Sequence, residues 1–134
     1  MAQGTVVRDQ FSDGKRLVLQ LIADGFPVES AAWLKEPDAD QWYLYIATPR
    51  MTDMSPTAAY RSMHATFHRL APLWFDVFQV KLVSLDDPVA NAVRAFHRKN
   101  QMTLDTRYRR PSLGSVPIEE ALIYPPPDKI QVDP

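Results

Sequence analysis

The sequence predicts an α+β fold in which a single layer of four to five mostly antiparallel strands carries about three helices packed on one face. Two short runs of alternating side chains, residues 28–35 and 42–48, flank a turn rich in proline and aspartate, as in a β-hairpin. Helical periodicity recurs in three longer segments, two of which open with a capping residue followed by proline. Because most strands are joined by hairpins and helices are interspersed, the predicted order is α-β-β-α-β-α-β-β.

The first predicted helix covers residues 12–24. Its apolar stripe has spacings of i, i+1, i+4 and i+5, and its members are Leu17, Val18, Leu21 and Ile22. Gly25 stands where a helix-terminating glycine belongs, and Pro27 prevents continuation. Residues 1–11 show little periodicity, so we expect them to form a flexible N-terminal tail.

In both runs of the predicted hairpin, alternate positions form two sets of side chains with different character. One set is mainly aliphatic, whereas the other contains Trp33, Tyr43 and Tyr45. Because successive side chains of a strand point to opposite faces, we expect one aliphatic face in the core and one aromatic face. The aromatic face then either contacts a partner or a ligand, or is covered by the first helix or by the C-terminal segment.

The second predicted helix starts at Ser55, an N-cap residue, with Pro56 in its first turn, and it ends before Pro72. A third strand is predicted over residues 75–85. Apolar side chains alternate there at Phe78, Val80 and Leu82.

The third predicted helix opens at Asp87 and Pro88, again a cap followed by proline. Cations at residues 97–99 complement the negative end of its dipole. Residues 106–124 are expected to form two strands around a turn that contains glycine. The proline-rich residues 125–134 are expected to form an extended, flexible C-terminal tail.

Composition narrows the class of protein without identifying it. The 134 residues fit one domain spanning residues 1–134, and the absence of cysteine excludes disulfides, thiolate catalysis and cysteine-based metal sites. A net charge of −1 gives no general reason to expect a nucleic acid or a membrane as partner. No signal-peptide pattern is present and no apolar run reaches the ~20 residues of a membrane span, so a cytoplasmic protein is expected. The four glycines are scattered, so neither a phosphate-binding loop nor a cofactor is predicted.

The leading functional hypothesis is a small non-enzymatic protein-interaction module. Large amphipathic aromatic side chains are enriched at interface hot spots, and the predicted aromatic face offers three of them: Trp33, Tyr43 and Tyr45. The expected partner is a second copy of the chain, forming a homodimer, or another protein.

The alternative hypothesis is an anion- or nucleic-acid-binding domain that uses the basic segment of residues 94–110. This segment holds six basic residues and one acidic residue, Asp105. The hypothesis relies on four of the arginines: Arg98, Arg107, Arg109 and Arg110. A structural explanation competes with it, because Arg98 suits a helix C-terminus and the two strand arginines at 107 and 109 can pair with Glu119 or Glu120.

A third hypothesis is a metal-dependent hydrolase or nuclease-like enzyme. His64 and His68 are spaced i, i+4 and share a helix face, but no third ligand is evident. Residues 79–81 (Gln-Val-Lys) resemble the end of the acidic-residue–x–Lys motif of metal-dependent nucleases, with Gln79 in place of the acid. No nucleophile–base pair is evident, so no catalytic residue is predicted.

Overall fold

The computed structural model describes residues 2–53 and 55–131, and of residues 2–7 and Asp53 it describes only the backbone. Within these ranges, the chain forms four α-helices and seven strands. The helices are α1 (Ala2–Ala23), α2 (Arg50–Asp53), α3 (Pro56–Leu70) and α4 (Pro88–Asn100), and a 3₁₀ turn covers Val77–Gln79. The strands are β1 (Ser30–Lys35), β2 (Tyr43–Ala47), β3 (Val80–Val83), β4 (Thr106–Tyr108), β5 (Ser112–Leu113), β6 (Val116–Pro117) and β7 (Glu120–Ile123).

Five of the strands form one sheet in the order β3-β2-β1-β7-β4, and β5 and β6 form a separate small hairpin. Three of the pairings in the large sheet are antiparallel, and only β2 and β3 run parallel. The predicted α+β class with a mostly antiparallel sheet is therefore confirmed. The predicted hairpin is also confirmed, since β1 pairs with β2 directly.

The long helices are divided between the two faces of the sheet. α1 and α3 share one face and bury a cluster that includes Leu17, Met63 and Trp33. α4 covers the opposite face, where Val93 packs with Leu34 and other sheet side chains. Two of the three long helices thus share a face as expected, whereas α4 lies on the other.

Helix α1 begins at Ala2, ten residues earlier than the predicted start at residue 12. The stripe marks only the turns that pack on the sheet, and α-helical hydrogen bonding continues beyond them. Phe11, expected in a flexible tail, is buried against the rings of Trp33 and Trp42, with centroids 6.0 Å and 5.0 Å away. Residue 1 lies outside the described residues.

The predicted helix starts are confirmed by their caps. Ser55 Oγ accepts a hydrogen bond from the Ala58 amide, and the Asp87 side chain accepts one from the Val89 amide. β3 is shorter than the strand predicted over residues 75–85, because Asp76 caps the 3₁₀ turn that precedes it. Both edges of the sheet are therefore short strands, β3 with four residues and β4 with three.

The C-terminal region contains more strands than the two that the sequence predicts. β4 and β7 join the large sheet, and the β5–β6 hairpin turns at Gly114, whose φ of 57° suits glycine. The predicted tail of residues 125–134 turns at Pro126, and Ile130 is buried in the cluster under α1. Residues 132–134 lie outside the described residues.

Candidate anion-binding cleft

The structure separates the three aromatic residues of the predicted hairpin face. Trp33 lies opposite Leu44, and Tyr45 lies opposite Ala32. Directly opposed residues share a face, so Trp33 points towards α1 while Tyr43 and Tyr45 point towards α4. The prediction of one shared aromatic face is wrong because eight residues, 35–42, separate the closing pair of Leu34 and Tyr43, and this number pairs even positions with odd ones.

Trp33 belongs to the core and has an exposed fraction of 0%. Its Nε1 donates a 2.8 Å hydrogen bond to the hydroxyl of Tyr124, which in turn donates to the carbonyl of Phe11 in α1. Gly14 allows this approach, since a Cβ there would lie 2.5 Å from Trp33 Nε1 and 2.6 Å from the Tyr124 hydroxyl. Trp33 is therefore a structural residue under α1.

Tyr45 and Tyr43 lie beside Lys81 on the opposite face. Tyr45 is 8% exposed and donates a 2.7 Å hydrogen bond to Glu36, and burial together with that bond raises the pKa of the Tyr45 hydroxyl. The Lys81 ammonium lies 4.2 Å from the ring centroid of half-buried Tyr43 and 5.5 Å from that of Tyr45. These rings contact the chain's own groups and do not form an exposed apolar patch.

The histidine pair on α3 lies in no cluster of potential metal ligands among the described residues. His64 and His68 have ring centroids 6.4 Å apart, and no group of three or more His, Asp or Glu side chains is placed to hold a metal ion within residues 2–53 and 55–131. Gln79 is also structural: its side chain donates to the Trp42 carbonyl and accepts from the Asp76 amide. Nothing in the described chain therefore favours the nuclease-like hypothesis.

Half of the predicted basic segment is neutralised by partners. Arg94 contacts Glu29 at 3.0 Å and donates to the Leu85 carbonyl at 2.7 Å. Arg107 and Arg109 both bind the carboxylate of Glu120, as the predicted pairing across the strands requires. Partial burial on its own would raise the pKa of Glu120, but the hydrogen bonds from the two arginines hold it below its ordinary value.

The other half of the segment is free. Arg98, Lys99 and Arg110 are exposed and form no ion pair with any residue that the structure describes. The one acidic residue of the segment, Asp105, is bound by Lys15 at 2.7 Å. The unpaired positive charge is therefore concentrated on Arg98, Lys99 and Arg110.

Lys99 and Arg110 line the same cleft, of about 440 Å³, between α4, β4 and the β5–β6 hairpin. β4 makes this possible by alternation: Arg107 lies opposite Leu122 on the α1 face, whereas Tyr108 lies opposite Ala121 on the α4 face. One face of α4 supplies most of the wall, with spacings of i, i+3, i+4, i+7 and i+8. The lining residues are Ala92, Ala95, Phe96, Lys99, Asn100, Tyr108, Arg110, Leu113 and Gly114, and none of them is acidic.

Three internal contacts fix the side chains of the cleft walls. The rings of Phe96 and Tyr108 form an edge-to-face pair with centroids 5.6 Å apart, and the Tyr108 hydroxyl donates to the Ser112 carbonyl at 2.9 Å. Asn100 Nδ2 donates to the Phe96 carbonyl at 2.9 Å. The cleft therefore combines an apolar aromatic wall with two unpaired cations.

Sequence reasoning found Arg110 but missed most of this cleft. Lys99 is counted in the basic segment, where the helix dipole explains it, and it is not among the four arginines predicted to bind an anion. The exposure of two aromatic side chains, Trp74 (57%) and Phe78 (79%), is also not predicted: Phe78 falls within the predicted strand 75–85, and Trp74 lies just before it.

Comparison with known proteins gives no match: no protein-family model, curated protein or solved structure resembles this chain. Of the helices in the described residues, none has the length and apolar character needed to cross a membrane.

Proposed function

We propose that this protein binds a small amphipathic anion in the cleft between α4, β4 and the β5–β6 hairpin. The observation that carries the proposal is the pair of unpaired cations, Lys99 and Arg110, in a cleft whose lining contains no acidic residue. An anion placed there gains two attractive charges, and it meets no carboxylate of the lining.

The rest of the lining suits the non-ionic part of such a ligand. Small-molecule sites are concave, mostly apolar and supplied with a few polar groups, and their volumes fall in the range of about 300–1,000 Å³. The cleft of about 440 Å³ fits this description, with alanine, leucine and aromatic side chains beside its two cations. The proposal develops the predicted anion-binding domain and limits its site to Lys99 and Arg110.

The test measures the fluorescence of anilinonaphthalene sulfonate, an amphipathic anion, as it is titrated into the folded protein. Lys99→Gln and Arg110→Gln should each weaken its affinity by about threefold to tenfold, because an exposed charge contributes on the order of 1 kcal/mol. Raising the salt concentration should weaken the wild-type affinity as well. The matched control is Arg98→Gln, which removes the same charge one residue from Lys99 but outside the lining. Equal effects of all three substitutions would contradict the proposal.

Self-association or partner binding through Trp33, Tyr43 and Tyr45 stays a prediction, and the burial of Trp33 and Tyr45 gives it no support. Trp33→Ser is unsuitable as a test, because removing a large core side chain costs about 3–5 kcal/mol in stability. Tyr43→Ser, at a half-buried position, is the better variant for light scattering. The cytoplasmic location also stays a prediction.

A further inference from the structure

We infer that the ligand of the cleft is an aromatic anion that also carries a hydrogen-bond donor, the chemistry of a nucleoside monophosphate. This inference rests on the proposed function and adds two requirements to it: a planar ring and a donor. The Phe96–Tyr108 ring pair in the lining supports the requirement for a planar ring, and the side chain of Asn100 supports the requirement for a donor.

The ring pair is arranged to receive a third ring. Phe96 and Tyr108 are nearly perpendicular, with an interplanar angle of 88°. In an edge-to-face pair, one ring uses only its edge and the other uses only one face, so further ring faces stay available. Both side chains are half-buried, and the hydrogen bond from Tyr108 to the Ser112 carbonyl fixes one of them in advance. A wall fixed in advance loses less conformational entropy when it binds a ligand.

The β5–β6 turn comes close to α4 at Gly114. A Cβ there would lie 3.0 Å from the Cβ of Ala92, so the turn contacts the helix closely. The other helical residue near the rings, Ala95, is equally small. A lining of small side chains beside two rings favours a flat ligand over a branched aliphatic one.

Asn100 supplies the second requirement. Its Nδ2 donates to the Phe96 carbonyl, which leaves Oδ1 as an acceptor, and no described residue donates to that oxygen. A ligand amine or hydroxyl can occupy this position. Polar groups of this kind fix the orientation of a ligand in a mostly apolar site.

The cations favour a compact anionic group. Lys99 comes from α4 and Arg110 from the segment after β4, so the positive charge reaches the cleft from two sides. An arginine guanidinium binds phosphate or carboxylate through two parallel hydrogen bonds, and an ammonium adds a point charge. Phosphate and carboxylate are both compatible with this arrangement, and the experiment compares them.

The experiment is a competition against anilinonaphthalene sulfonate with probes that separate the requirements. Phenyl phosphate and benzoate carry a ring and an anionic group, butyl phosphate has no ring, inorganic phosphate supplies only the anion, and adenosine lacks the anion. Adenosine monophosphate carries ring, donor and anion together. We expect phenyl phosphate to compete at roughly tenfold lower concentration than butyl phosphate, since one ring stacking contact contributes ~1–3 kcal/mol. Adenosine monophosphate should compete at lower concentration still, and adenosine and inorganic phosphate should compete weakly.

Substitutions at Asn100 and Tyr108 test which residue provides each requirement. Asn100→Ala should weaken the binding of adenosine monophosphate by about threefold to tenfold. It should leave the binding of phenyl phosphate unchanged, because phenyl phosphate has no donor for Oδ1. Tyr108→Leu should remove the preference for phenyl phosphate over butyl phosphate. Tyr108→Phe, which keeps the ring, should retain that preference even if it destabilises the fold. Amide resonances of Asn100 and Gly114 in NMR spectra should shift on addition of adenosine monophosphate and locate the ligand directly.

The outcomes distinguish the two levels of the proposal. If butyl phosphate competes as well as phenyl phosphate while Lys99→Gln and Arg110→Gln still weaken binding of the dye, the inferred aromatic ligand is wrong, and the proposed anion-binding cleft is retained. If the dye binds independently of both cations, both proposals fall. A single-stranded oligonucleotide that competes a hundredfold better than adenosine monophosphate would overturn the small-ligand class in favour of nucleic acid.

Discussion

The two faces of the sheet differ in how their polar side chains are satisfied. Under α1, Trp33, Tyr124 and the carbonyl of Phe11 form one buried chain of hydrogen bonds. Beside α4, Lys99 and Arg110 face a cleft without an acidic lining residue. A buried donor without a partner costs about 1–3 kcal/mol, whereas a solvated cation costs almost nothing. The α1 face therefore serves the stability of the fold, and the α4 face leaves charges available for a ligand.

The largest expected effect on this contrast comes from Gly14→Ala. The added Cβ would overlap Trp33 Nε1 and the Tyr124 hydroxyl, and overpacking of this kind should lower the free energy of unfolding by about 2 kcal/mol or more. The measurement is thermal unfolding followed by circular dichroism. Gly25→Ala is the control, because its φ of +84° strains an alanine while no atom lies within 4 Å of the new Cβ. A smaller loss for Gly14→Ala than for Gly25→Ala would show that the α1 face is not closely packed.

Tyr124→Phe tests the same face with a single oxygen atom. The substitution leaves Trp33 Nε1 and the Phe11 carbonyl without their partner, which should cost about 1–3 kcal/mol of unfolding free energy. Urea denaturation measures this cost. Tyr43→Phe is the matched control: among the described residues its hydroxyl accepts a hydrogen bond from the exposed Gln41 alone, so a change below about 0.5 kcal/mol is expected. Equal costs would mean that the buried chain contributes no more than a surface hydrogen bond.

Sequence reasoning worked where local chemistry decides the structure. The caps at Ser55 and Asp87 require only a neighbouring amide, and they are found as predicted. The predicted register of the hairpin is wrong because it depends on the connection between Leu34 and Tyr43, which has eight residues and in which Asp38 adopts a φ of 64°. A one-residue change in that loop moves every side chain to the other face, and nothing in the strand residues themselves fixes the loop length.

The cleft could be predicted only in part for a similar reason. The pairing of Arg107 and Arg109 with Glu120 follows from strand alternation, so half of the basic segment could be assigned to structure in advance. Lys99 and Arg110, from the other half, line one cleft only because α4 packs beside β4 and the β5–β6 hairpin. That packing depends on contacts such as the Phe96–Tyr108 ring pair, which have no signature in periodicity or charge.

Glu120→Gln should leave two arginines without their ion-pair partner, as Lys99 and Arg110 are in the cleft. It frees Arg107 and Arg109, so stability at pH 7 should fall by about 0.5–1 kcal/mol. The pKa of Glu120 is lowered in the folded protein, so its stabilising contribution is complete above its ordinary value of 4.5 and is lost as the pH falls through the folded value. Urea denaturation between pH 7 and pH 3 should show the wild type and the variant converging at low pH. A constant difference over that range would contradict the assigned ion pair.

The smallest effect on stability is expected for substitution of the unpaired cations of α4. Comparing variants of this one helix distinguishes residues that bind the dye from residues that stabilise the fold. Lys99→Gln and Arg98→Gln should each change the free energy of unfolding by less than about 0.5 kcal/mol, because neither side chain has an ion-pair partner among the described residues. Arg94→Gln, on the same helix, should cost about 1–2 kcal/mol, since it loses Glu29 and the Leu85 carbonyl. The same three variants should give a different order in the dye titration, where only Lys99→Gln weakens binding. If Lys99→Gln destabilises the protein as much as Arg94→Gln, the lysine supports the fold and its weaker dye binding would no longer indicate a ligand site.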